Sequence, residues 1–465
     1  MAIFPDIHFE VSERKVLLRI FDIVFALGFL QVISTFFRFD YFMISSENWV
    51  WTLVLAAYIV IFGTIFELYN LQQASKFQVV LKNTILTVSV TVLFYLLTPF
   101  YTPVLPENRL QIIYFFLAMT CGILIWRWLY ISLISSPRFY KRVLIVGDSF
   151  DIDTITKNLQ LADPNYRVFG YINTDDVTVT PSLDLEGLDN FSIDGLTETV
   201  AKYGISEIVV ASNYESGVSL PLYVQLINLL ESGFPIREYT QVYEEITQRV
   251  PVQHVDKDFY RYFPFSRSNQ NKFYLFFHRF FDILMALCGS AFFLVLIPFL
   301  FIGNILANRG PLFYTQSRIG KNGRAFRIIK LRTMITDAEK DGAVWAAKND
   351  KRITRFGKFL RKSRIDEIPQ FFNILIGQMS VIGPRPERPV FVRELSEIIP
   401  FYETRHVVKP GLTGWAQVKG GYGDSEEQAL EKLQYDLYYI KHRNIFMDLS
   451  IVLKTISTVV FYRGQ

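Results

Sequence analysis

The chain is poor in the residues that form disulfides and bind metals. Its 465 residues include two cysteines, Cys121 and Cys288, and five histidines. Both cysteines lie within apolar stretches, where a thiol packs as a small hydrophobic group. We therefore expect neither a disulfide framework nor a zinc site. The start of the chain also lacks a short apolar run followed by a small-residue cleavage site, so no removable signal peptide is expected.

Glycine is scarce where a dinucleotide site would need it. Residues 138–255 alternate apolar runs with helical patterns, which predicts a Rossmann-like α/β domain. The first run, RVLIVGD, ends with Gly147 and Asp148, and no further glycine follows in the turn. Without those glycines the backbone cannot approach a pyrophosphate, and the Asp148 carboxylate would repel one. The pattern favours a regulatory or self-association module, and a homodimer through the N-terminal half is one expected assembly.

Two long segments of the chain each contain few charged residues of one sign and many of the other. Residues 148–250 carry 17 Asp and Glu against 5 Lys and Arg, whereas residues 307–365 carry 16 Lys and Arg against 4 Asp and Glu. The formal net charge of +4 hides this segregation. A basic block of this size is typical of a solvated face, or of binding to a nucleic acid, an anionic membrane or a phosphorylated substrate.

Apolar residues, by contrast, are abundant. The chain is 51% hydrophobic and contains 43 Phe, which points to membrane contact. Before Pro137, four apolar stretches are each close to the ~20 residues that a spanning helix needs. They are Val16–Phe37, Trp49–Tyr69, Val79–Tyr101 and Leu110–Ile134. Basic residues before the first stretch and after the fourth place both ends in the cytoplasm.

Three charged residues interrupt these stretches. They are Asp22, Lys82 and Arg127. A charge inside a bilayer is costly and invites a functional interpretation. Because all three lie near the ends of their stretches, we expect their side chains to reach the lipid headgroups instead.

A fifth apolar stretch, Phe273–Leu306, is long enough to cross the membrane but has basic residues on both sides. Both flanks should therefore stay in the cytoplasm. Pro298 lies near the middle, where it removes a helical hydrogen bond and clashes with the preceding turn. These features predict a re-entrant helix that enters the inner leaflet, bends at Pro298 and returns. An ordinary fifth span is the alternative.

Two adjacent acids, Asp366 and Glu367, stand at the edge of the basic block, in RKSRIDEIP. One interpretation is helix capping, because Ser363 and Asp366 have the spacing of a capping box and Pro369 suits a first helical turn. The other is catalysis. A carboxylate can attack phosphorus as a covalent nucleophile, and nearby arginines keep it ionised. Neighbouring residues of a helix diverge by about 100°, so one acid could face phosphorus and the other a metal.

Several separated motifs share this part of the chain. They are GPLFYTQSRIGKNGRAFRIIKLRTM at residues 310–334, DAEK, the segment around Asp366 and Glu367, GPRP at residues 383–386, and KPGLTGWAQVKG at residues 409–420. Together they resemble the bacterial sugar transferases, the polyprenyl-phosphate glycosyl-1-phosphate transferases, over Phe273–Gln465. Four spans followed by an α/β domain are similar to the long, initiating members of that family.

The resemblance implies an activity. It implies transfer of a sugar 1-phosphate from a UDP-sugar to undecaprenyl phosphate, with release of UMP, as the first membrane step of exopolysaccharide, capsule or O-antigen synthesis. It also implies Mg²⁺ and an intermediate in which Asp366 is phosphorylated, with Glu367 at the metal. Asp337 is a weaker metal candidate. By position in the motifs, the residues implied to bind phosphate or the donor are Lys330, Arg332, Arg364 and Arg385. The family often has Ser-Pro at its membrane bend, where this chain has Ile297-Pro298.

The expected organisation has four parts. They are four transmembrane helices over residues 1–137, the Rossmann-like domain over 138–255, a linker and re-entrant helix over 256–306, and a mostly helical α+β catalytic domain over 307–465. The expected location is the bacterial inner membrane, multi-pass, with the catalytic domain in the cytoplasm and membrane lipids but no nucleic acid as partners. Two other functions fit parts of the chain, namely a membrane-tethered nucleotide-sugar oxidoreductase and a non-enzymatic scaffold for polysaccharide export.

The end of the chain carries another apolar pattern. Within Arg443–Gly464, apolar residues recur along one helical face at Ile445, Leu449, Leu453, Ile456 and Val459. Such a helix lies either on the membrane surface beside the active site or in an ordinary core. The tryptophan of KPGLTGWAQVKG, Trp415, is predicted to be an interface anchor.

Overall fold

A computed structural model gives the fold. It describes residues 11–37, 39–74, 76–134, 140–147, 149–163, 166–173, 188–193, 195–211, 219–252, 271–336, 338, 350–420 and 425–460. The chain divides into two compact units, Met1–Thr247 and Gln248–Gln465. Asp337, Asp148 and the linker residues 253–270 lie outside the described residues.

The first unit begins with apolar helices, as the four N-terminal stretches predict. The helices are α1 (Val11–Phe36), α2 (Trp49–Ile65), the short α3 (Leu71–Ala74), α4 (Phe77–Leu97) and α5 (Leu110–Leu129), which continues as a π-helical turn over Tyr130–Ile134. Among the described residues, the helices long and apolar enough to cross a membrane are Glu13–Phe36, Phe77–Leu97, Leu110–Leu133 and the later Lys272–Ala307. Many of their large apolar side chains remain exposed, as lipid contact requires.

The second apolar helix is shorter than predicted. Helix α2 ends at Ile65 because Glu67 takes a left-handed conformation, with φ of 56°, and Leu68 N donates back to the carbonyl of Gly63. The chain then folds over the helix, so that the ring of Tyr69 lies 2.7 Å from where a Cβ on Gly63 would be. The predicted span to Tyr69 therefore includes a turn that packs back on the bundle.

The prediction that Asp22 and Arg127 reach the headgroups is wrong. Both side chains are fully buried, and they pair with each other between α1 and α5. Arg127 Nε donates to Asp22 Oδ1 at 3.0 Å, and Arg127 also lies over the ring of Tyr69 at 5.5 Å. Lys82, by contrast, is exposed. Pairing within the bundle replaces the water that these charges would otherwise need.

The rest of the first unit is an α/β domain with a five-stranded parallel sheet. Its elements are β1 (Lys141–Gly147), α6 (Ser149–Ala162), β2 (Tyr166–Asn173), β3 (Asp189–Asn190), α7 (Leu196–Tyr203), β4 (Glu207–Ala211), α8 (Leu220–Glu231), β5 (Ile236–Glu238) and α9 (Tyr239–Thr247). The strand order is β3-β2-β1-β4-β5, with every pairing parallel. This confirms the α/β prediction, and the order is that of a doubly wound sheet.

The second unit carries a long membrane helix and the motif-bearing segments. Its elements are α10 (Lys272–Ala307), β6 (Phe313–Ile319), β7 (Ala325–Leu331), α11 (Arg355–Lys362), α12 (Gln370–Leu375), β8 (Ser380–Ile382), α13 (Pro389–Ile398), β9 (Gly411–Thr413), α14 (Trp415–Lys419), α15 (Glu426–His442) and α16 (Ile445–Val460). Strands β6 and β7 form an antiparallel hairpin, and β8 pairs with β9 in parallel. Short 3₁₀ turns lie at Lys321–Gly323, Ile365–Glu367 and Tyr402–Val407.

Helix α10 packs against this unit from one end to the other. Near its start, Arg279 donates to the carbonyls of Ile374 and Leu375. At its end, Asn304 Nδ2 donates to the carbonyl of Gly310 at 2.7 Å. Pro298 lies within the helical segment, and the opposite face exposes large apolar side chains along the whole helix. The re-entrant path stays a prediction, but one unit holds both ends of the helix.

Two predictions for the end of the chain have different outcomes. Helix α16 exposes part of its predicted apolar face, with Leu449 and Ile456 on the surface beside Phe446, which is 85% exposed. That pattern fits a membrane-surface helix better than a buried one. Trp415 is buried, however, and its indole nitrogen approaches the carbonyl of Gln248 at 3.4 Å. The prediction that Trp415 is an interface anchor is therefore wrong.

Candidate active site

The acid pair lies in a tight turn between two helices. Helix α11 ends at Lys362, and Arg364 then adopts a left-handed conformation with φ of 58°. Asp366 and Glu367 follow in the 3₁₀ turn that leads into α12. The Ser363 hydroxyl donates back to carbonyls of α11 and does not cap the next helix. The Ser363–Asp366 capping box is therefore absent, whereas Pro369 stands at the start of α12, as that interpretation predicts.

A buried amide fixes the β-hairpin beside this turn. Asn373 of α12 accepts a hydrogen bond from Ile329 N at 3.1 Å and donates to the carbonyl of Arg327 at 2.8 Å. Both partners are on β7, so Asn373 pins that strand to the helix that follows the acids. Lys330, the next residue on the strand, consequently reaches the Glu367 carboxylate at 3.2 Å.

Glu367 is surrounded by three of the four predicted phosphate-binding cations. Arg385 Nη2 donates to its Oε1 at 2.7 Å, and Lys330 Nζ lies 3.2 Å from the same oxygen. Arg364 Nη1 is 3.5 Å from Oε2. Only 7% of Glu367 is exposed, so these charges interact where water screens them weakly. The turn thus gathers two acids and three cations from three separate motifs.

The two acids differ in acidity because their partners differ. Burial alone would raise the pKa of Glu367, but Arg385, Lys330 and Arg364 hold it well below its usual range. Burial and the negative charge of Glu367 raise the pKa of Asp366 to about 6, opposed by Lys330, Arg361 and Arg364. Burial disfavours the charged form of Lys330 and so lowers its pKa, although the negative charge of Glu367 opposes that shift. Two neighbouring carboxylates with separated pKa values are typical of functional sites.

Asp366 has an oxygen available for an incoming group. Its Oδ1 is buried and has no hydrogen-bond partner among the described residues. A buried carboxylate oxygen normally has a partner, and one without a partner needs a ligand, an ion or a reaction to explain it. Mg²⁺ prefers carboxylate oxygens and usually takes one or two of them together with substrate phosphates. The pair Asp366 and Glu367 therefore fits a Mg²⁺ ion, although the described residues contain no cluster of three His, Cys, Asp or Glu.

The GPRP motif is held in place by backbone pairing with KPGLTGW. Gly383 N donates to the carbonyl of Thr413, and Gly411 N donates to the carbonyl of Pro384, each at 2.9 Å. A Cβ on Gly383 would lie 2.4 Å from the carbonyl oxygen of Lys409, so a side chain does not fit there. The close approach of these two segments fixes the position from which Arg385 reaches Glu367.

One of the predicted phosphate-binding residues, Arg332, is hydrogen-bonded to backbone groups and not to the acid pair. All three guanidinium nitrogens of Arg332 donate to backbone carbonyls, those of Pro311, Met334 and Asn308. Arg332 thus fastens the end of α10 to β7, and its predicted role with substrate stays a prediction without structural support. Asp337 is not among the described residues, and Pro298 acts in the membrane helix.

Sequence reasoning missed three residues that shape the site. The positive charge of Arg361 lowers the pKa of Asp366, and its Nε donates to the hydroxyl of Thr333 at 2.9 Å. Arg405 pairs with Asp436 at 2.6 Å, with both side chains buried, and donates to the carbonyl of Arg385 at 3.2 Å. Arg361 could have been inferred from the basic run in which it lies. Arg405 and Asp436 could not, because only the folded chain shows that they are partners.

Comparison with known proteins agrees with this location. A family model described as bacterial sugar transferase matches residues 273–462, which include every site residue described above. "UDP-N-acetylgalactosamine-undecaprenyl-phosphate N-acetylgalactosaminephosphotransferase" of Aeromonas hydrophila is 41% identical over 226 residues, which are 49% of this chain and 52% of that protein. The match thus spans about half the length of that relative.

Shorter relatives are matched over most of their length. "Exopolysaccharide production protein PSS" of Rhizobium leguminosarum bv. phaseoli is 39% identical over 188 residues, 38% of this chain and 92% of that protein. "UDP-glucose:undecaprenyl-phosphate glucose-1-phosphate transferase" of Caulobacter vibrioides is 37% identical over 181 residues, 38% of this chain and 68% of that protein. The chain therefore covers two thirds or more of each of these two relatives. The chain belongs to the bacterial sugar transferase family.

Proposed function

We propose that this protein transfers a sugar 1-phosphate from a UDP-sugar to undecaprenyl phosphate and releases UMP. The observation that carries the proposal is the pair of buried acids, one with an unpartnered oxygen and the other held by three cations. Donor, acceptor and transition state are all anionic in this reaction, so fixed cations are what the chemistry requires. The names of the Aeromonas and Caulobacter relatives support the same reaction.

Asp366 is the nucleophile in the first step. One of its carboxylate oxygens attacks the phosphorus that carries the sugar, and the bond from that phosphorus to the bridging oxygen of the diphosphate breaks. UMP leaves with the bridging oxygen and the electron pair. The sugar 1-phosphate is then covalently attached to Asp366, and the difficult displacement is divided into two easier ones.

The second step reverses the roles. An oxygen of undecaprenyl phosphate attacks the same phosphorus, and the bond to Asp366 breaks. The carboxylate is regenerated with its negative charge, and the product is a diphosphate that links the sugar to the lipid. No net proton is gained or lost in either step, so the site needs charge stabilisation more than acid–base catalysis.

Glu367 and its cations organise this charge. Lys330, Arg364 and Arg385 supply three positive groups around one carboxylate, and an entering diphosphate can exchange places with that carboxylate. When Mg²⁺ is bound by Glu367 and Asp366, it would neutralise phosphate oxygens as charge develops on them. Arg405 holds the backbone of Arg385 and so orients one of the three cations.

The proposal includes a place in the cell and in a biosynthetic sequence. The apolar helices and the lipid acceptor fit the bacterial inner membrane, with the catalytic residues on the cytoplasmic side where nucleotide sugars are made. A re-entrant α10 is supported by the attachment of both its ends to one unit. The product is a lipid-linked sugar, which suits the first membrane step of exopolysaccharide, capsule or O-antigen synthesis. N-acetylgalactosamine and glucose appear in the relatives' names and are the first sugars to test.

A donor-only incubation tests the covalent route. Purified full-length protein, Mg²⁺ and a UDP-sugar should release about one UMP per active site, as a burst-forming covalent intermediate requires. Mass spectrometry should find the sugar phosphate on the peptide that contains Asp366. Asp366→Asn should abolish both signals, because a neutral amide is a poor nucleophile. Glu367→Gln should raise the Mg²⁺ concentration required and slow the reaction.

Two outcomes would contradict parts of the proposal. If UMP appeared only with the lipid acceptor present and no adduct formed, transfer would be direct and Asp366 would be a base or a metal ligand. If no UMP were released from any UDP-sugar with acceptor present, the transferase function itself would be wrong.

A further inference from the structure

A second group of cations lies at the end of α12 that is far from the acid pair. Gly377 follows that helix in a left-handed conformation, with φ of 85°. Lys409 Nζ and Arg279 Nη2 lie 3.6 and 3.7 Å from the point where a Cβ on Gly377 would be. The two cationic groups are therefore within about 7 Å of each other across a residue without a side chain. One small anion could contact both.

The two cations have different partners. The hydrogen bonds of Arg279 go to backbone carbonyls, those of Ile374 at 2.8 Å and Leu375 at 2.9 Å. Within the part of the chain that the structure describes, Lys409 forms no ion pair with a carboxylate. Arg279 thus caps the carbonyl end of α12, while the ammonium group of Lys409 is available to an anion.

The nearby acid is already committed elsewhere. Asp282 Oδ1 accepts hydrogen bonds from the hydroxyl of Ser380 and from Val381 N, both at 2.8 Å, and Oδ2 faces His278 Nδ1 at 3.8 Å. Burial lowers the pKa of Lys409, and Arg279 and Lys321 lower it further, while Asp282 partly opposes them. The charges around Lys409 are thus mainly positive.

The position of the group relates it to the membrane. Arg279 is the eighth residue of α10, the apolar helix. Next to it on the outer face, Phe276 and Phe280 are 65% and 58% exposed. A cationic group beside an exposed apolar helix face matches an amphiphile, whose phosphate would meet the cations while its chains lie along the phenylalanines.

We propose that Arg279 and Lys409 form a binding subsite for the phosphate headgroup of a membrane lipid, separate from the turn that contains Asp366 and Glu367. The lipid is either the polyprenyl phosphate acceptor, waiting before it reaches Asp366, or an acidic phospholipid that anchors the start of α10. The first source rests on the function proposed above, and the second does not.

Full-length protein with Lys409→Gln tests the subsite, combined with Lys321→Gln to remove a further positive charge that acts on Lys409. Arg279 is left intact because it also caps α12. The matched control is Lys351→Gln, which removes a positive charge from an exposed position of the same unit. Delipidated protein is offered undecaprenyl phosphate or phosphatidylglycerol, and native mass spectrometry counts the lipid retained. We expect the double variant to lose about tenfold in affinity for at least one of the two lipids, while the control retains both.

Steady-state kinetics in nanodiscs identify which of the two lipids occupies the subsite. If the acceptor occupies the subsite, KM for undecaprenyl phosphate rises in the double variant and KM for the UDP-sugar does not. If a phospholipid occupies it, stimulation by phosphatidylglycerol is lost instead. Equal retention of both lipids by the double variant and by Lys351→Gln would overturn the proposal. Lipid retention is measured without turnover, so failure of the subsite and failure of the proposed function are distinguishable.

Discussion

Asp366 and Glu367 are neighbours in the chain but have different partners. The cations of three motifs converge on Glu367, while one oxygen of Asp366 has no partner among the described residues. Arg385, Lys330 and Arg364 hold the pKa of Glu367 well below its usual range, so its carboxylate is ionised at neutral pH. Asp366 is poised to change its protonation state near neutral pH. At the scale of residues, this difference assigns the two acids separate tasks.

The pH dependence of the first step follows from this difference. Because the pKa of Asp366 is raised to about 6, its carboxylate takes up a proton as the pH falls through that value and is then no longer a nucleophile. The rate of adduct formation from donor alone should fall about tenfold between pH 8 and pH 5. Quenched-flow measurement of UMP release gives the profile. A rate that stays flat down to pH 4 would show that ionisation of Asp366 does not control the step.

Arg405 offers a second test at this scale, because it acts through Arg385. Its guanidinium donates at once to Tyr402 Oη, Asp436 and the carbonyl of Arg385. Arg405→Lys keeps the charge but has a single nitrogen, so it cannot make all three contacts. A small displacement of Arg385 would then lower kcat by up to about 100-fold.

The control for that prediction is Asp436→Asn, which removes the buried charge but leaves the contact between Arg405 and the Arg385 carbonyl. Breaking a buried ion pair costs about 3–5 kcal/mol of stability. We therefore expect Asp436→Asn to lower Tm more than it lowers kcat, and Arg405→Lys to do the reverse. If Arg405→Lys and Asp436→Asn had the same Tm and the same loss of kcat, the role of Arg405 would be purely structural.

At the scale of elements, α10 is a support for the active site. A Cβ added to Gly289 would lie 2.3 Å from the ring of Phe371, at the start of the helix that follows the acid pair. Gly289→Val should therefore displace α12 and reduce kcat, with a loss of about 1–3 kcal/mol in stability from overpacking. Cys288→Val changes the neighbouring, exposed residue and should leave both activity and Tm unchanged. Wild-type turnover by Gly289→Val would show that α12 tolerates the displacement.

Labelling from outside the membrane tests the path of α10. Single cysteines replace Lys272 and Ala307, the first and last residues of the helix, in a chain whose Cys121 and Cys288 have been changed to serine. A re-entrant helix predicts that an impermeant maleimide reaches both positions only from the cytoplasmic side. A straight helix of 36 residues would be about 54 Å long, more than the ~30 Å of hydrocarbon in a bilayer. Reaction of one position from the periplasm would establish a true span.

The elements also show which features the sequence could predict. The apolar helices and the strands of the α/β domain follow from hydrophobic runs, because burial imposes a pattern on neighbouring residues. The end of α2 was missed because the turn depends on a left-handed Glu67 and on Tyr69 packing over Gly63. In the site, the residue types and motifs were sufficient to locate Lys330, Arg364 and Arg385. Their convergence on Glu367 was not predictable, because the contacts join residues up to 37 positions apart.

At the scale of the whole molecule, the second unit, which contains the candidate active site, begins before the first of the motifs. It begins at Gln248, and Val250 and Val252 are part of its core although they precede α10 by about 20 residues. A shortened chain of residues 248–465, in detergent or nanodiscs, should retain UMP release within about threefold of the full-length rate. A chain that starts at Phe273 lacks those valines and should be less stable. Loss of activity in a folded, membrane-inserted 248–465 chain would give the N-terminal unit a part in the chemistry.

The buried pair between Asp22 and Arg127 has a consequence for how the protein is made. The two residues are 105 positions apart, so the ribosome delivers the first membrane helix well before its partner. At ~5–20 residues per second, the aspartate waits roughly 5–20 s in or near the insertion machinery without its counter-charge. During that interval α1 carries an unpaired carboxylate, whose cost in a bilayer disfavours its release into lipid. We therefore expect an Arg127→Leu chain, in which Asp22 has no counter-charge, to be degraded faster than the wild type in a pulse-chase measurement.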